Sequence, residues 1–285
     1  MNHRQKVWIC GAKGRVGRQM TKLLRASSVE LLTTDIDDVD ITDHKAVLDF
    51  ANLNQPHFIV NCAGVTDVNV CQQNMDLAFK VNALGARNLS VAARKGKARM
   101  VQLSTDDVFA GDGQTPYTEF DIPNPQSIYG KSKLAGENFV KEFCNRHIIV
   151  RSSWIFGEGS GYVEKILKLA RQGETVLAAE DQIGAPTGSV ELAKKILELM
   201  EEAPDGLYHV TGQGFCSRYE LAREIVKLSG YPATVKPVPA REDTLTSMRP
   251  SYSVLDNLML RMSSVQLLPS WEEMLNRYMR EDWRS

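Results

Sequence analysis

The sequence predicts an α/β protein built on a doubly wound parallel sheet, the Rossmann arrangement, with a smaller C-terminal α/β region. Three observations carry this prediction. Over the first 155 residues, short runs rich in Val and Ile alternate with longer segments of helical period. The runs are continuously apolar rather than alternating, as strands covered by helices on both faces must be. Three glycines, Gly11, Gly14 and Gly17, separate the first run from the first helical segment, where such a sheet turns sharply from strand to helix.

The elements follow in order. "KVWICGA" (6–12) opens the sheet, and "VGRQMTKLLRA" (16–26) repeats apolar residues at helical spacing. Strand-like "VELLTTD" (29–35) and helical "KAVLDFANL" (45–53) come next, then "HFIVNCAG" (57–64) and the long helical stretch 75–96. "RMVQLST" (99–105), a helix beginning at Tyr129 and "HIIVRSS" (147–153) complete the alternation. After about residue 155 the rhythm changes. Helical periods at 162–173, 189–203, 218–230 and 270–279 are separated by strand candidates at 175–181 and 206–212. The segment 231–250 holds four prolines and reads as a long functional connection rather than core.

Composition excludes several classes. A hydrophobic share of 43% and a charged share of 24% are ordinary for a soluble chain. The net charge of -1 comes without a basic tract, so no nucleic-acid partner is expected. No apolar run reaches the ~20 residues of a membrane span, and the N-terminus does not read as a signal peptide. The five cysteines (Cys10, Cys62, Cys71, Cys144 and Cys216) are odd in number and lack a CxxC spacing. They read as reduced thiols of a cytoplasmic protein. The five histidines show no metal-ligand spacing, so no metal site is predicted.

Glycines between a first strand and a first helix let backbone N–H groups approach a pyrophosphate at the helix N-terminus, whose dipole favours an anion. Gly11, Gly14, Arg15, Val16 and Gly17 are therefore candidate dinucleotide-binding residues. Asp35 ends the second run, where a carboxylate accepts hydrogen bonds from the adenosine ribose. An acid there repels a 2′-phosphate, yet Arg15 and Arg18 lie close enough to neutralise one, so NADH and NADPH both stay open. Gly64, Val65 and Thr66 follow the third strand and border the cofactor at the switch point of the sheet. Asn82, in the next helix, either serves that site or merely bonds neighbouring backbone. The expected division is a dinucleotide-binding unit over 1–155, with 175–203 returning to it, and a mainly substrate-binding region over 156–285.

"SIYGKSKLAGE" (127–137) puts Tyr129 and Lys133 on one helix face. An ammonium near a phenol favours the phenolate and lowers a pKa that starts near ~10. "LSTDDVF" (103–109) brings the hydroxyls of Ser104 and Thr105 to the same sheet edge, although Ser-Thr-Asp runs also cap turns. A carbonyl that accepts hydride develops alkoxide charge and then needs a proton. Tyr129 suits the proton donor, Thr105 the group that holds the carbonyl, and Lys133 the cation that acidifies the tyrosine and binds the nicotinamide ribose.

"GAKGRVG", "NCAG", "STDDVF" and "YGKSKLAGE", in this order, resemble the extended short-chain dehydrogenase/reductase superfamily. "RSSWIFG" (151–157), "DQIGAPT" (181–187), "GLYHVTG" (206–212) and "RPSYSVLDN" (249–257) are similar to motifs of the dTDP-4-dehydrorhamnose reductase family. The likeness runs from residue 6 to the segment 268–275. It implies reduction of the 4-keto group of dTDP-4-dehydro-β-L-rhamnose by NADPH or NADH, giving dTDP-L-rhamnose for cell-surface polysaccharide. It further implies that Tyr129 and Lys133 are the catalytic pair with Thr105 as hydroxyl partner, that Thr105, Asp106 and Trp154 meet the sugar, and that Arg249 binds the diphosphate. Many members carry Tyr where this chain has Asp107, so the sugar pocket is expected to differ. Some carry an acid, linked with a magnesium-bridged dimer, where this chain has Gln19, and that metal site is not expected. Two alternatives accompany the likeness: a ketoreductase of another dTDP-4-keto-deoxysugar, and a non-catalytic NADP-binding regulatory subunit. The resemblance allows a homodimer.

Overall fold

The computed structural model describes residues 5–243, 249–263, 265–281 and 283. Strand β1 (Lys6–Cys10), helix α1 (Arg15–Arg25), β2 (Glu30–Thr34), α2 (His44–Asn54) and β3 (Phe58–Asn61) alternate as their periodicity demands. Helices α3 (Val68–Gln73) and α4 (Met75–Phe79) lead through a π turn (Lys80–Gly85) into α5 (Ala86–Gly96), followed by β4 (Arg99–Thr105), α6 (Ile128–Phe143) and β5 (His147–Ser152). The later chain forms β6 (Ile155–Phe156), α7 (Tyr162–Arg171), β7 (Val176–Ala179), β8 (Ile183–Gly184), β9 (Thr187–Gly188) and α8 (Ser189–Glu202). It ends with β10 (Gly206–His209), β11 (Cys216–Ser217), α9 (Arg218–Ser229), β12 (Val235–Val238), α10 (Leu258–Met262) and α11 (Trp271–Glu281).

The main sheet has the order β10–β5–β4–β3–β1–β2, with every neighbouring pair parallel. The continuous apolar runs are explained by its two covers. Val7, Ile9, Val60, Val101, Ile148 and Val150 join one buried cluster with residues of α1 and α8. Their sequence neighbours Trp8, Cys10, Ile59, Met100 and Ile149 join a second cluster with residues of α2, α5 and α6. The chain reverses its winding between β1 and β3, so a crevice opens at the carboxyl ends of these strands.

The chain after residue 155 contributes to both regions. Strand β10 belongs to the main sheet, on the outer side of β5, and α8 packs against α1. Strand β7, by contrast, pairs with β12 outside that sheet. Within 175–203, α8 therefore packs on the first unit while β7 lies outside its sheet, and β10 joins that sheet from beyond the segment. The Pro-rich segment 231–250 is also not all connection, because Val235–Val238 forms β12; its residues 244–248 lie outside those described. Two short pairs, β6 with β9 and β8 with β11, complete the second region. No disulfide links the five cysteines.

Candidate active site

The glycine turn leaves β1 through Gly11, whose φ of 75 is left-handed. A Cβ there would meet the backbone of Ala63 at 2.6 Å, so the turn and the loop after β3 lie backbone against backbone. Gly14 caps α1 without a side chain to satisfy the first amides, and Arg15, Val16 and Gly17 form the opening turn, which holds no acid. These free N–H groups at a helix N-terminus are what a pyrophosphate requires. Asp35 Oδ2 accepts from the Lys13 amide at 2.9 Å, which fixes the acid beside the turn. The residues present therefore fit a dinucleotide.

Arg15 and Arg18 both hold partners within the chain. Arg15 donates to the carbonyls of Ile155 (3.0 Å) and Ser160. Arg18 pairs with Glu158 at 3.1 Å and donates to Lys13 O at 3.0 Å, and Lys22 holds the same Glu158 at 2.6 Å.

Asn82 bonds neighbouring backbone, that of the loop after β3. Its Oδ1 accepts from Val65 N at 2.9 Å, while its Nδ2 donates to Val65 O at 3.0 Å and to Ser132 Oγ at 2.9 Å. It ties the loop to α6 and leaves Gly64 and Thr66 exposed.

Tyr129, the second residue of α6, is 6% exposed and packs among Val65, Val68, Cys71 and Ala78. Ser127 caps the helix by accepting from Gly130 N at 3.0 Å. Lys133 Nζ donates to Leu103 O, on β4, at 2.6 Å. Two residues further along β4, the Thr105 hydroxyl donates to Asp106 Oδ1 at 3.0 Å and accepts from Asp107 N at 3.2 Å. Asp107 is buried and forms an ion pair with Arg249 at 2.8 Å. The Arg249 guanidinium in turn lies 5.3 Å from the centre of the Tyr129 ring. Ser104 points elsewhere, donating to Glu137 at 2.6 Å.

The glycine turn, the phenol–ammonium pair and the Thr105 hydroxyl thus line the carboxyl edge of one parallel sheet. A family model described as the RmlD substrate binding domain matches residues 5–283. The chain belongs to the dTDP-4-dehydrorhamnose reductase family. It is similar to the solved dTDP-4-dehydrorhamnose reductase of Clostridium acetobutylicum, at 41% identity and TM-score 0.94, covering 97% of this chain and 99% of that one. The Bacillus anthracis enzyme, solved in complex with NADP, matches at 38% identity and TM-score 0.94, covering 98% and 99%. A dTDP-4-keto-6-deoxy-D-glucose reductase of Streptomyces niveus is 34% identical over 94% of each chain.

As a member of the dTDP-4-dehydrorhamnose reductase family, the protein is an NAD(P)-dependent oxidoreductase. Its electrostatics correct one expectation. Burial pushes the Tyr129 phenol above its ordinary value, outweighing Arg249 and Thr105, the groups that favour ionisation. The cation over the phenol is Arg249, not Lys133, whose ammonium is turned to Leu103 O. Burial also lowers Lys133 to about 8, against the opposing pull of Glu137. Asp106 is pushed up by burial and by the neighbouring Asp107. Arg249 stays above its usual value because Asp107 and Tyr129 outweigh its burial. Trp154 holds a left-handed φ of 43, and the guanidinium of Arg218 lies 3.4 Å from its ring centre. Arg218 and Glu158 were not legible as site residues, since each reaches the site from a sequence-distant element.

Proposed function

We propose that the protein reduces the 4-keto group of dTDP-4-dehydro-β-L-rhamnose to the alcohol, with Tyr129 as proton donor and NADPH or NADH as reductant. The observation that carries the reading is that Tyr129 lies beside Thr105 and Arg249, with Lys133 one turn along the same helix bonded to Leu103 O of the strand that bears Thr105. The first-turn amides of α1 hold the pyrophosphate, Asp35 the adenosine ribose, and Gly64, Val65 and Thr66 the flank. The bound nicotinamide supplies the hydride.

The remaining work falls to side chains of this chain. Thr105 holds the substrate carbonyl, and Asp106 and Trp154 orient the sugar. As negative charge grows on the oxygen, Tyr129 Oη gives it a proton, and the positive charge of Arg249 stabilises the phenolate left behind. A buried phenol with a raised pKa is protonated at neutral pH, the state a donor needs. Lys133, held by Leu103 O, would bind the nicotinamide ribose. The unit 1–155 together with 189–209 takes the dinucleotide, and the rest, with Thr105, Asp106 and Trp154, takes the sugar nucleotide. The reading includes a cytoplasmic site of action and a homodimer; no helix among the described residues is long and apolar enough to cross a membrane.

Asp107 favours a second reading, a ketoreductase of another dTDP-4-keto-deoxysugar, which the likeness to the Streptomyces niveus enzyme also supports. The test is oxidation of NADPH and NADH, followed by absorbance, against dTDP-4-dehydrorhamnose and related dTDP-4-ketosugars. Turnover fastest with the rhamnose precursor supports the first reading and a different best substrate the second. No turnover with any of them rejects both.

A further inference from the structure

Arg218 opens α9 and is 6% exposed. Arg99 and Arg151, the other buried arginines among the described residues, each hold a carboxylate at 2.7 Å. Arg218 has no such partner. Among the described residues no oxygen accepts from its guanidinium, and its Nε is fully buried without a hydrogen bond. It touches two aromatic faces instead, with ring centres at 3.4 Å for Trp154 and 4.7 Å for Tyr162. Gly184 makes room for this stack, since a Cβ there would lie 2.3 Å from the indole.

A buried guanidinium without a counter-charge is unfavourable, and burial accordingly draws Arg218 down to about 10. It still carries its charge at neutral pH. The groups that act on it electrostatically are Tyr162, which it touches, and then Arg249, Asp106 and Cys216. Of the two guanidiniums, Arg249 is already bound to Asp107 and placed over the Tyr129 ring. Arg218 is uncommitted, adjoins Trp154, and offers the planar fork that matches phosphate oxygens.

We propose that Arg218, rather than Arg249, takes the diphosphate of the nucleotide-sugar beside Trp154, while Arg249 stays with Asp107 at the reacting end. The proposal rests on the reductase reading for the identity of the ligand. It divides the work of two arginines: one anchors the diphosphate end of the substrate and one serves the proton donor.

The test uses thymidine diphosphate and thymidine as probes, with calorimetric affinities and melting temperatures of wild type, Arg218→Met and Arg218→Lys. Arg218→Met is expected to weaken thymidine diphosphate binding about 10- to 100-fold, the loss of a charge-assisted contact. Thymidine and NADH affinities stay within about twofold, and the melting temperature does not fall, because an unpaired buried charge has been removed. Arg218→Lys regains part of the diphosphate affinity. Unchanged thymidine diphosphate affinity in Arg218→Met overturns the assignment and leaves the reductase reading standing; a sugar carboxylate as the true partner gives this result too, since the probe has no sugar. A lowered melting temperature with thymidine affinity lost as well also overturns it, as a prop for Trp154. A wild-type chain that binds no thymidine diphosphate and turns over no ketosugar overturns the reductase reading and this assignment together.

Discussion

Tyr129 and Lys133 share a helix face, yet burial acts on them in opposite directions: it keeps the phenol protonated and loosens the proton of the ammonium. Removing the phenol hydroxyl removes the proton and little else. Tyr129→Phe is expected to lower kcat about 10²- to 10⁴-fold, with cofactor affinity within about twofold by fluorescence titration. Near-normal turnover in that variant would remove Tyr129 as the acid. Lys133 starts from 10.5 and is lowered to about 8, so it is charged below that pH and neutral above it. The kcat/KM for the cofactor should fall as pH rises through about 8. In Lys133→Arg, whose charge does not titrate in this range, that limb should vanish even if the overall rate is lower. A limb that persists there belongs to another group.

Helix α1 is tied to the segment after β6 by Arg15, Arg18 and Lys22. Glu158 thereby occupies two cations beside the glycine turn. Glu158→Gln should release them and raise the ratio of kcat/KM for NADPH over NADH about two- to fivefold, the scale of partly exposed ion pairs. Steady-state kinetics with both cofactors checks it, and an unchanged or lower ratio rejects the competition. The same element marks where legibility ends. The glycine turn and the Tyr129–Lys133 spacing are local, so periodicity alone placed them. The partners of Arg15 and Arg18 lie 140 residues away in sequence, and nothing in the local pattern of α1 names them. Strand β10 has only four residues, and a run that short does not say which sheet it joins. Pro237 makes β12 look like a loop, although a two-stranded ladder tolerates a proline whose missing N–H falls on an open edge.

At the scale of the whole molecule, the elements that carry the site converge on one buried carboxylate. Glu137 of α6 is fully buried and takes two bonds from Arg151 of β5, Nε at 2.8 Å and Nη2 at 2.7 Å. Ser104 of β4 donates to the same group at 2.6 Å. The helix with Tyr129 and Lys133 and the strand with Thr105 are thus locked together one turn from the chemistry. Burial alone would push Glu137 up, but Arg151 and Ser104 hold it below its ordinary 4.5. Its stabilisation is therefore present above the unfolded value near 4.5 and is lost as pH falls through the lower folded value. Arg151→Met leaves a carboxylate buried without its partner, which should lower unfolding free energy by about 3–5 kcal/mol in urea titrations at neutral pH. The sign of the pH response then reverses. In the variant, burial raises Glu137, the folded state binds the extra proton, and the deficit against wild type shrinks as pH falls toward 5. Adding Glu137→Leu to Arg151→Met should recover part of the loss, because the orphaned charge is gone. A double variant as unstable as the two single losses added together would show that the pair is not coupled, and that the lock between α6, β4 and β5 lies elsewhere.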